Sequence, residues 1–193
     1  MADPTRAALP PGQTRTEKWP VLHYGAIPRI GLATWGFTVT GEVEAPVRWS
    51  WAECTALPRT TVRCDVHCVT QWSRFDNSFE GVACREVLRR AAPRPGAAFV
   101  MVHSYGGYTT NLELDALLDD DTLFAFSHDG RPLTPEHGGP CRLVVPKRYF
   151  WKSAKWVHGL ELMKQNQPGF WEQNGYNMHA DPWKEERFSD PWT

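Results

Sequence analysis

Short strand-like segments, each ended by a turn residue, most restrict the fold of this 193-residue chain. Alternation of apolar and polar residues predicts strands, because successive side chains of a strand point to opposite faces. Strands are predicted at 36–43, 61–67, 99–102, 123–128, 142–145 and 156–163. The pair Asp129-Gly130 after the fourth of these segments predicts a two-residue hairpin turn.

Helices are predicted to be few and short. Ser50 and Glu53 form a capping-box pattern, which predicts a helix that runs through Leu57 and ends before Pro58. Apolar spacing predicts further helices over 82–92 and 112–118. Strands that outnumber helices in this way predict an α+β domain in which a strand-rich mixed sheet core carries short helices.

The length of the chain suits one domain. Residues 1–20 are rich in Pro, Gly and Thr, and we predict a flexible N-terminal arm there. Residues 21–164 are predicted to form the domain, and the aromatic, aperiodic segment 165–193 a tail that wraps it. The ten Trp residues indicate either wide aromatic packing or an aromatic-lined pocket, and composition does not separate the two.

Composition excludes several functional classes. A net charge of −1 does not favour a nucleic acid or an anionic membrane as a partner. The N-terminus lacks the apolar run of a signal peptide, and no stretch reaches the ~20 apolar residues of a membrane span, so we expect a cytoplasmic protein. Five cysteines without paired spacing do not predict a disulfide framework. A special cysteine would therefore be a metal ligand or a nucleophile.

One group of candidate ligands is Cys64, His67 and Cys68. These residue types bind zinc, but zinc prefers four ligands in a tetrahedron, and on a strand His67 would face away from the two cysteines. A small zinc or cysteine enzyme that uses Cys68 and His67 stays a possible interpretation. So does an inert buried cysteine, since free cysteines are among the most buried residues.

A second block, at 136–156, contains a turn rich in Gly and Pro, a strand and a loop crowded with cations. In a chain of net charge −1 this crowding predicts an anion-binding loop, where glycines let backbone N–H groups approach a ligand. A solvated basic face is the alternative. The five cations are Arg142, Lys147, Arg148, Lys152 and Lys155.

Two motifs in these blocks resemble the molybdopterin-binding domain of the sulfite oxidase family. The first is Cys-x-x-x-Trp-Ser at Cys68, and the second is Pro-x-Arg-Leu-x-Val-Pro followed by Phe-x-Lys-x-x-Lys. The resemblance runs from about Val21 to Lys164 and is strongest to bacterial stand-alone sulfite oxidase-like oxidoreductases and the methionine-sulfoxide reductase catalytic subunit. It implies a sulfite oxidase-type fold, a molybdenum–molybdopterin cofactor and two-electron oxygen-atom transfer on a small S- or N-oxide or sulfite-like substrate.

The resemblance also implies roles for single residues. Cys68 would be the molybdenum ligand, and Tyr105 and Tyr108 would lie at the catalytic mouth. A soft thiolate suits this metal, and Arg and Lys suit the cofactor's phosphate. The residues implied to bind the cofactor are His23, Tyr24, Cys68, Ser104, His137, Arg142, Ser153, Ala154 and Lys155.

Some positions depart from the family pattern. Leu22 stands where sulfite oxidases have a substrate-binding Arg, and the stretch after Cys68 also lacks an Arg. These losses favour a neutral S- or N-oxide over sulfite. No haem domain accompanies the motifs, so we expect a separate electron donor or acceptor protein. A cofactor-binding module without catalysis is the other interpretation, and the intact Cys68 argues against it.

Overall fold

The computed structural model describes residues 9–189, which form two β-sheets and four short helices. The strands are β1 (Thr14–Arg15), β2 (Gly36–Gly41), β3 (Val47–Ser50), β4 (Arg59–His67), β5 (Trp72–Ala83), β6 (Phe99–Ser104), β7 (Thr109–Glu113), β8 (Leu123–His128), β9 (Arg131–Pro132), β10 (Arg142–Val144) and β11 (Val157–Met163). The helices are α1 (Trp51–Thr55), α2 (Cys84–Ala91), α3 (Leu114–Leu118) and α4 (Phe170–Gln173). The predicted α+β class with a strand-rich core is confirmed.

Both sheets are mixed. In the first, β5 pairs antiparallel with β4 and β8, β8 pairs antiparallel with β9 and β10, and β1 adds a short parallel pair to β5. The second sheet has the order β3-β2-β11-β6-β7, in which only β2 and β11 are parallel. Because β4 and β5 run in opposite directions, the chain reverses at Cys68–Gln71 and leaves that turn at one end of the first sheet.

The first sheet is covered on both faces. Along β8, Phe124 and Phe126 belong to a larger apolar cluster that includes residues of the second sheet, α2 and α3. Leu123 and Ala125 belong to a smaller cluster on the other face, against which Trp19 packs. This division follows from the period of two along a strand. The smaller cluster positions the site described below.

Local sequence patterns predict several elements correctly. Ser50 Oγ accepts a hydrogen bond from Glu53 N, and Ser50 N donates to the Glu53 carboxylate, so both halves of the capping box are present. Asp129 and Gly130 adopt φ angles of 47° and 74°, as a tight hairpin turn requires.

Two predicted helix boundaries are wrong. The helix predicted over 112–118 does not begin at Leu112. Residues 109–113 form β7, in which Leu112 pairs with Val100 of β6. Only 114–118 is helical. The helix predicted from 82 begins at Cys84, because Val82 pairs with Phe124 and continues β5. In both places pairing with a distant strand overrides local helical spacing.

The described parts of both terminal segments lie on the domain. In the N-terminal segment, β1 pairs with β5, and the Gln13 side chain donates to Cys68 O over 3.0 Å. In the C-terminal segment, the fully buried Glu172 forms an ion pair with Lys152, with 2.7 Å between Oε1 and Nζ. The predictions for residues 1–8 and 190–193 lie outside the described residues.

No helix within residues 9–189 is long and apolar enough to cross a membrane. The longest of them, α2, has 8 residues. The finding agrees with the sequence, in which no apolar run approaches the ~20 residues that a spanning helix needs.

We predict that Lys152→Met strongly destabilises the protein. The substitution leaves Glu172 buried without its counter-ion and removes the ammonium bonds to Asn111 and Met178. Removal of one partner of a buried pair costs about 3–5 kcal/mol of unfolding free energy. Urea denaturation of the apoprotein measures it. Lys147→Met, which breaks an exposed 3.0 Å pair with Asp119, is the matched control, with an expected loss below about 1 kcal/mol; equal losses would contradict the prediction.

Candidate functional site

A cavity of about 340 Å³ opens where five parts of the chain meet. These parts are residues 19–24, the turn after β4 with the first residue of β5, Tyr108 just before β7, Arg142 of β10 with the loop 150–156 that follows, and the C-terminal segment. The cavity is large enough for a small organic ligand, and the side chains that line it include no carboxylate among the described residues. The predicted site residues that line it are His23, Tyr24, Cys68, Tyr108, Arg142, Ser153, Ala154 and Lys155.

Cys68 lies in the turn that joins β4 to β5. Its backbone N–H donates to Trp72 O over 2.8 Å, and Gln71, with a φ of 70°, completes the reversal. The Cys68 side chain is 8% exposed and its Sγ lies 3.1 Å from the Thr70 hydroxyl oxygen. Burial raises the pKa of the Cys68 thiol, while the Thr70 hydroxyl opposes this shift. The thiol therefore keeps its proton until a metal or another cation replaces it.

Arg142, the first residue of β10, is a buried cation. Its Nη1 donates to His137 O over 2.9 Å and its Nη2 to Ser153 O over 2.8 Å. The guanidinium also lies 4.2 Å from the centre of the Phe150 ring. Burial lowers the pKa of Arg142 to about 9, and no carboxylate within residues 9–189 pairs with it. A buried charge without a counter-ion is costly, so this wall of the cavity suits an anion.

Lys155 is the second cation at the cavity. Its ammonium donates to Leu22 O over 2.8 Å and to Glu136 O. Burial, and then the charge of Arg142, lower the pKa of Lys155 to about 7. Gly138, with a φ of 98°, lies so close that a Cβ there would be 2.9 Å from Lys155 Cβ. Two cations without a carboxylate partner on one wall fit a phosphate group, the anionic part of molybdopterin.

The other three cations of the predicted anion-binding loop lie elsewhere, and that part of the prediction is wrong. Lys152 points into the interior and pairs with Glu172. Lys147 and Arg148 pair with acidic residues of α3's end and of β7. The three cations are close together in sequence, but in the structure each one pairs with an acidic residue from another segment.

Three predicted site residues do not line the cavity. Ser104 is buried, and its hydroxyl has no partner within the described residues. The Tyr105 hydroxyl accepts a hydrogen bond from Gly36 N over 3.0 Å. His137 stacks on Trp19 with 3.9 Å between ring centres, and burial and nearby cations lower its pKa to about 4. His137 does not line the cavity, and its contact with Arg142 is the hydrogen bond that its carbonyl oxygen accepts from Nη1.

Aromatic residues that the motifs did not identify form much of the lining. Tyr108 does belong to the predicted set, and its hydroxyl donates to Trp151 O over 2.7 Å. Burial raises its pKa well above the usual value, so its proton is held. The additional rings outside the motif positions are Trp19, Trp151, Trp156, Trp171 and Tyr176, and the motif residues Trp72 and Phe150 complete the set. Only the high Trp content pointed to the tryptophans outside the motif positions, and it did not identify them individually.

The zinc hypothesis finds no ligand set in the described part of the chain. Cys64 packs against the smaller apolar cluster, and His67 Nδ1 lies 2.7 Å from the Ser73 hydroxyl oxygen. Within residues 9–189 no three His, Cys, Asp or Glu side chains come together in a way that could hold a metal ion.

Comparisons with known proteins identify relatives of the chain. Residues 24–171 match the sequence model of the oxidoreductase molybdopterin binding domain. The chain is 46% identical to the oxidoreductase YuiH of Bacillus subtilis, over 94% of this chain and 92% of that protein. It is 27% identical to the protein-methionine-sulfoxide reductase catalytic subunit MsrP of Gluconobacter oxydans, and covers 54% of that protein's length. The sulfane dehydrogenase SoxCD of Paracoccus pantotrophus shares the fold, with a TM-score of 0.70 and 20% identity over 79% of this chain and 43% of that one.

We predict that Lys155 makes the apoprotein more stable as pH rises above 7. The folded chain releases the Lys155 proton near pH 7, while the unfolded chain keeps it up to its ordinary value of 10.5. Unfolding therefore takes up a proton between these values, and the free energy of unfolding rises with pH, by less than about 1.4 kcal/mol per pH unit because the side chain is partly exposed.

Urea denaturation of the apoprotein at several pH values tests this prediction. Lys155→Met should lose the rise between pH 7 and pH 9, whereas Lys164→Met, at an exposed lysine that pairs with Glu42, should keep it. Parallel pH profiles for the wild-type protein and Lys155→Met would contradict the assignment.

Proposed function

Because this chain belongs to the family of oxidoreductase molybdopterin binding domains, we propose that Cys68 is the protein ligand of its molybdenum. The predicted membership of the sulfite oxidase family and the molybdenum–molybdopterin cofactor are confirmed, and the protein is a molybdopterin-dependent oxidoreductase. We propose further that it catalyses two-electron oxygen-atom transfer on a small S- or N-oxide or sulfite-like substrate. The observation that supports this most is a cysteine in the same cavity as two cations that have no carboxylate partner.

One wall of the cavity would hold the cofactor's phosphate. Arg142 offers a planar fork and Lys155 a point charge, and both already lie at the cavity surface. Ser153 Oγ accepts a hydrogen bond from Val145 N over 2.9 Å, which leaves its hydroxyl proton free to donate to an anion. A bound phosphate would return the pKa of Lys155 towards its ordinary value, because an opposite charge favours the ammonium form.

The protein's own contribution to the reaction is to hold and shield the reacting centre. When bound, the cofactor supplies the two-electron couple that exchanges an oxygen atom with the substrate. Cys68 would offer a soft thiolate ligand, and Thr70 would donate a hydrogen bond to that sulfur once its proton is lost. Trp72 and Tyr108 line the cavity beside it and exclude water.

Electron exchange requires a partner. Each oxygen-atom transfer moves two electrons, which must be exchanged with another molecule before the next turnover. We propose a separate electron donor or acceptor protein. The cytoplasmic location stays a prediction.

We predict that Cys68→Ser lowers both molybdenum content and turnover. A hydroxyl is a harder and weaker ligand than a thiolate, so molybdenum retention should fall on the order of 100-fold or more. Metal analysis of the purified protein and dye-linked assays measure the two effects. Cys64→Ser, at a cysteine outside the cavity lining, should keep both. Full molybdenum and full activity in Cys68→Ser would refute the assignment.

We predict that Arg142→Ala weakens retention of the pterin. Loss of the guanidinium leaves Lys155 as the only cation of that wall within the described residues, and a charge-assisted bond contributes about 1.5–3 kcal/mol, which is roughly 10- to 100-fold in affinity. Pterin released by acid after extensive dialysis can be measured by fluorescence. Arg148→Ala, at a partly buried pair with Glu113 outside the cavity lining, is the control. Equal pterin occupancy in the two variants would contradict this role.

A further inference from the structure

We infer that the C-terminal segment 165–189 forms the substrate-selecting wall of the cavity, with Trp171 and Tyr176 as specificity-determining residues. The substrate class that fits this wall is a neutral oxide of sulfur or nitrogen attached to an aromatic ring. The inference rests on the proposed oxygen-atom transfer and adds the substrate class to it.

Four rings define this wall, which we call the aromatic wall: Tyr24, Trp151, Trp171 and Tyr176. Trp171 and Tyr176 stack with 5.0 Å between ring centres and 21° between planes. Trp151 meets Tyr176 edge-on at 5.0 Å, and Tyr24 meets Trp171 edge-on at 6.1 Å. Rings arranged in this way offer both faces and edges to the ring of a ligand, and aromatic pairs prefer offset-stacked or edge-to-face contacts.

The aromatic wall is uncharged. Arg142 lies over Trp19 and Phe150, and Lys155 lies 5.6 Å from the centre of the Trp156 ring. Within residues 9–189 no arginine or lysine lies over any ring of the aromatic wall. An anion such as sulfite would find no compensating charge on this wall, whereas a neutral aromatic group would lose little hydration there.

The wall is fixed from behind by the buried ion pair of Lys152 and Glu172. Trp151 Nε1 donates to Glu172 Oε1 over 2.9 Å, and Lys152 Nζ lies 2.7 Å from the same oxygen. Tyr176 N donates to Trp171 O over 3.0 Å, which ties the two stacked residues together. Rings held in place before a ligand arrives lose little entropy on binding it.

Tyr176 lines the same cavity as Cys68, the residue proposed to hold the metal. The match to the family's sequence model ends at residue 171, so Tyr176 lies just after the segment that this model matches.

Turnover of paired substrates by the molybdenum-loaded enzyme tests the inference. Two equivalents of a reduced viologen dye supply one electron each and the solvent supplies two protons, so that the S–O or N–O bond breaks, the sulfur or nitrogen is reduced, and the oxygen leaves as water. Methyl phenyl sulfoxide and dimethyl sulfoxide differ only in the ring. We expect KM to be roughly tenfold lower for the phenyl compound. Turnover of methyl phenyl sulfoxide with this lower KM supports the inference, and comparison with turnover of pyridine N-oxide identifies the preferred atom.

The variants Trp171→Leu and Tyr176→Leu should each raise KM for methyl phenyl sulfoxide by roughly tenfold and leave KM for dimethyl sulfoxide unchanged. Trp183→Leu, at an exposed tryptophan of the same segment that does not line the cavity, is the control and should change neither. The KM values of the wild-type enzyme for the two sulfoxides test the inference without any variant, so this test holds even if a variant fails to fold.

Binding gives a second readout that does not depend on turnover. Methyl phenyl sulfone cannot be reduced by this route, and calorimetry should show that it binds the wild-type holoenzyme roughly tenfold more tightly than Trp171→Leu. Equal KM values for the two sulfoxides, or turnover of sulfite in preference to both, would overturn the inference and leave the proposed function standing. Failure of molybdenum-loaded enzyme to turn over any oxide or sulfite would refute the proposed function itself.

Discussion

The site depends on the burial of the Arg142 guanidinium without a carboxylate partner. Three backbone carbonyls and two aromatic rings surround it, and these compensate its charge only in part. The same charge lowers the pKa of Lys155, so the two cations oppose each other while the cavity lacks an anion. A bound phosphate removes both costs, since it pairs with the first cation and lets the second keep its proton. Because only the folded chain brings the two together, cofactor binding and folding stability are coupled.

The cavity has two walls of opposite chemistry, and the loop after β10 contributes to both. Arg142 and Lys155 form the cation wall, whereas Lys152, between them in sequence, points to the other side and anchors the aromatic wall through Glu172. Lys152 and Lys155 are close in sequence but differ in the groups that their ammonium ions contact. Lys152 meets a carboxylate from the C-terminal segment, and Lys155 meets only backbone carbonyls. Only the second is therefore left to bind an external anion.

The sequence predicted what depends on local pattern or on short motifs. Sequence pattern predicted β4, β8 and β10 of the first sheet and β2, β6 and β11 of the second, but not β5, which pairs with both β4 and β8. The cysteine and arginine motifs pointed to two residues that line one cavity. It could not predict that residues 109–113 pair as β7, or that Lys152 has a buried partner, because both depend on contacts with residues far along the chain. Of the aromatic wall only Tyr24 was predicted as a site residue, and the two rings from the C-terminal segment, Trp171 and Tyr176, were missed for the same reason. An aperiodic segment has no pattern that shows which of its rings face inwards.

Because the cation wall and the aromatic wall are formed by different side chains, cofactor binding and substrate specificity can be determined separately. In the proposed function the cation wall would contact the cofactor, so its chemistry would be set by a phosphate that does not change with the substrate. The aromatic wall includes residues of the C-terminal segment. That segment is held on the domain by the buried Lys152–Glu172 ion pair and by hydrogen bonds such as those from Lys152 Nζ to Met178 O and from Tyr149 N to Ala180 O. A ring on this wall can be replaced without touching Arg142 or Lys155, because no cation lies over it within the described residues. Substrate preference can therefore change independently of cofactor binding, and the C-terminal segment is where we expect such changes to act.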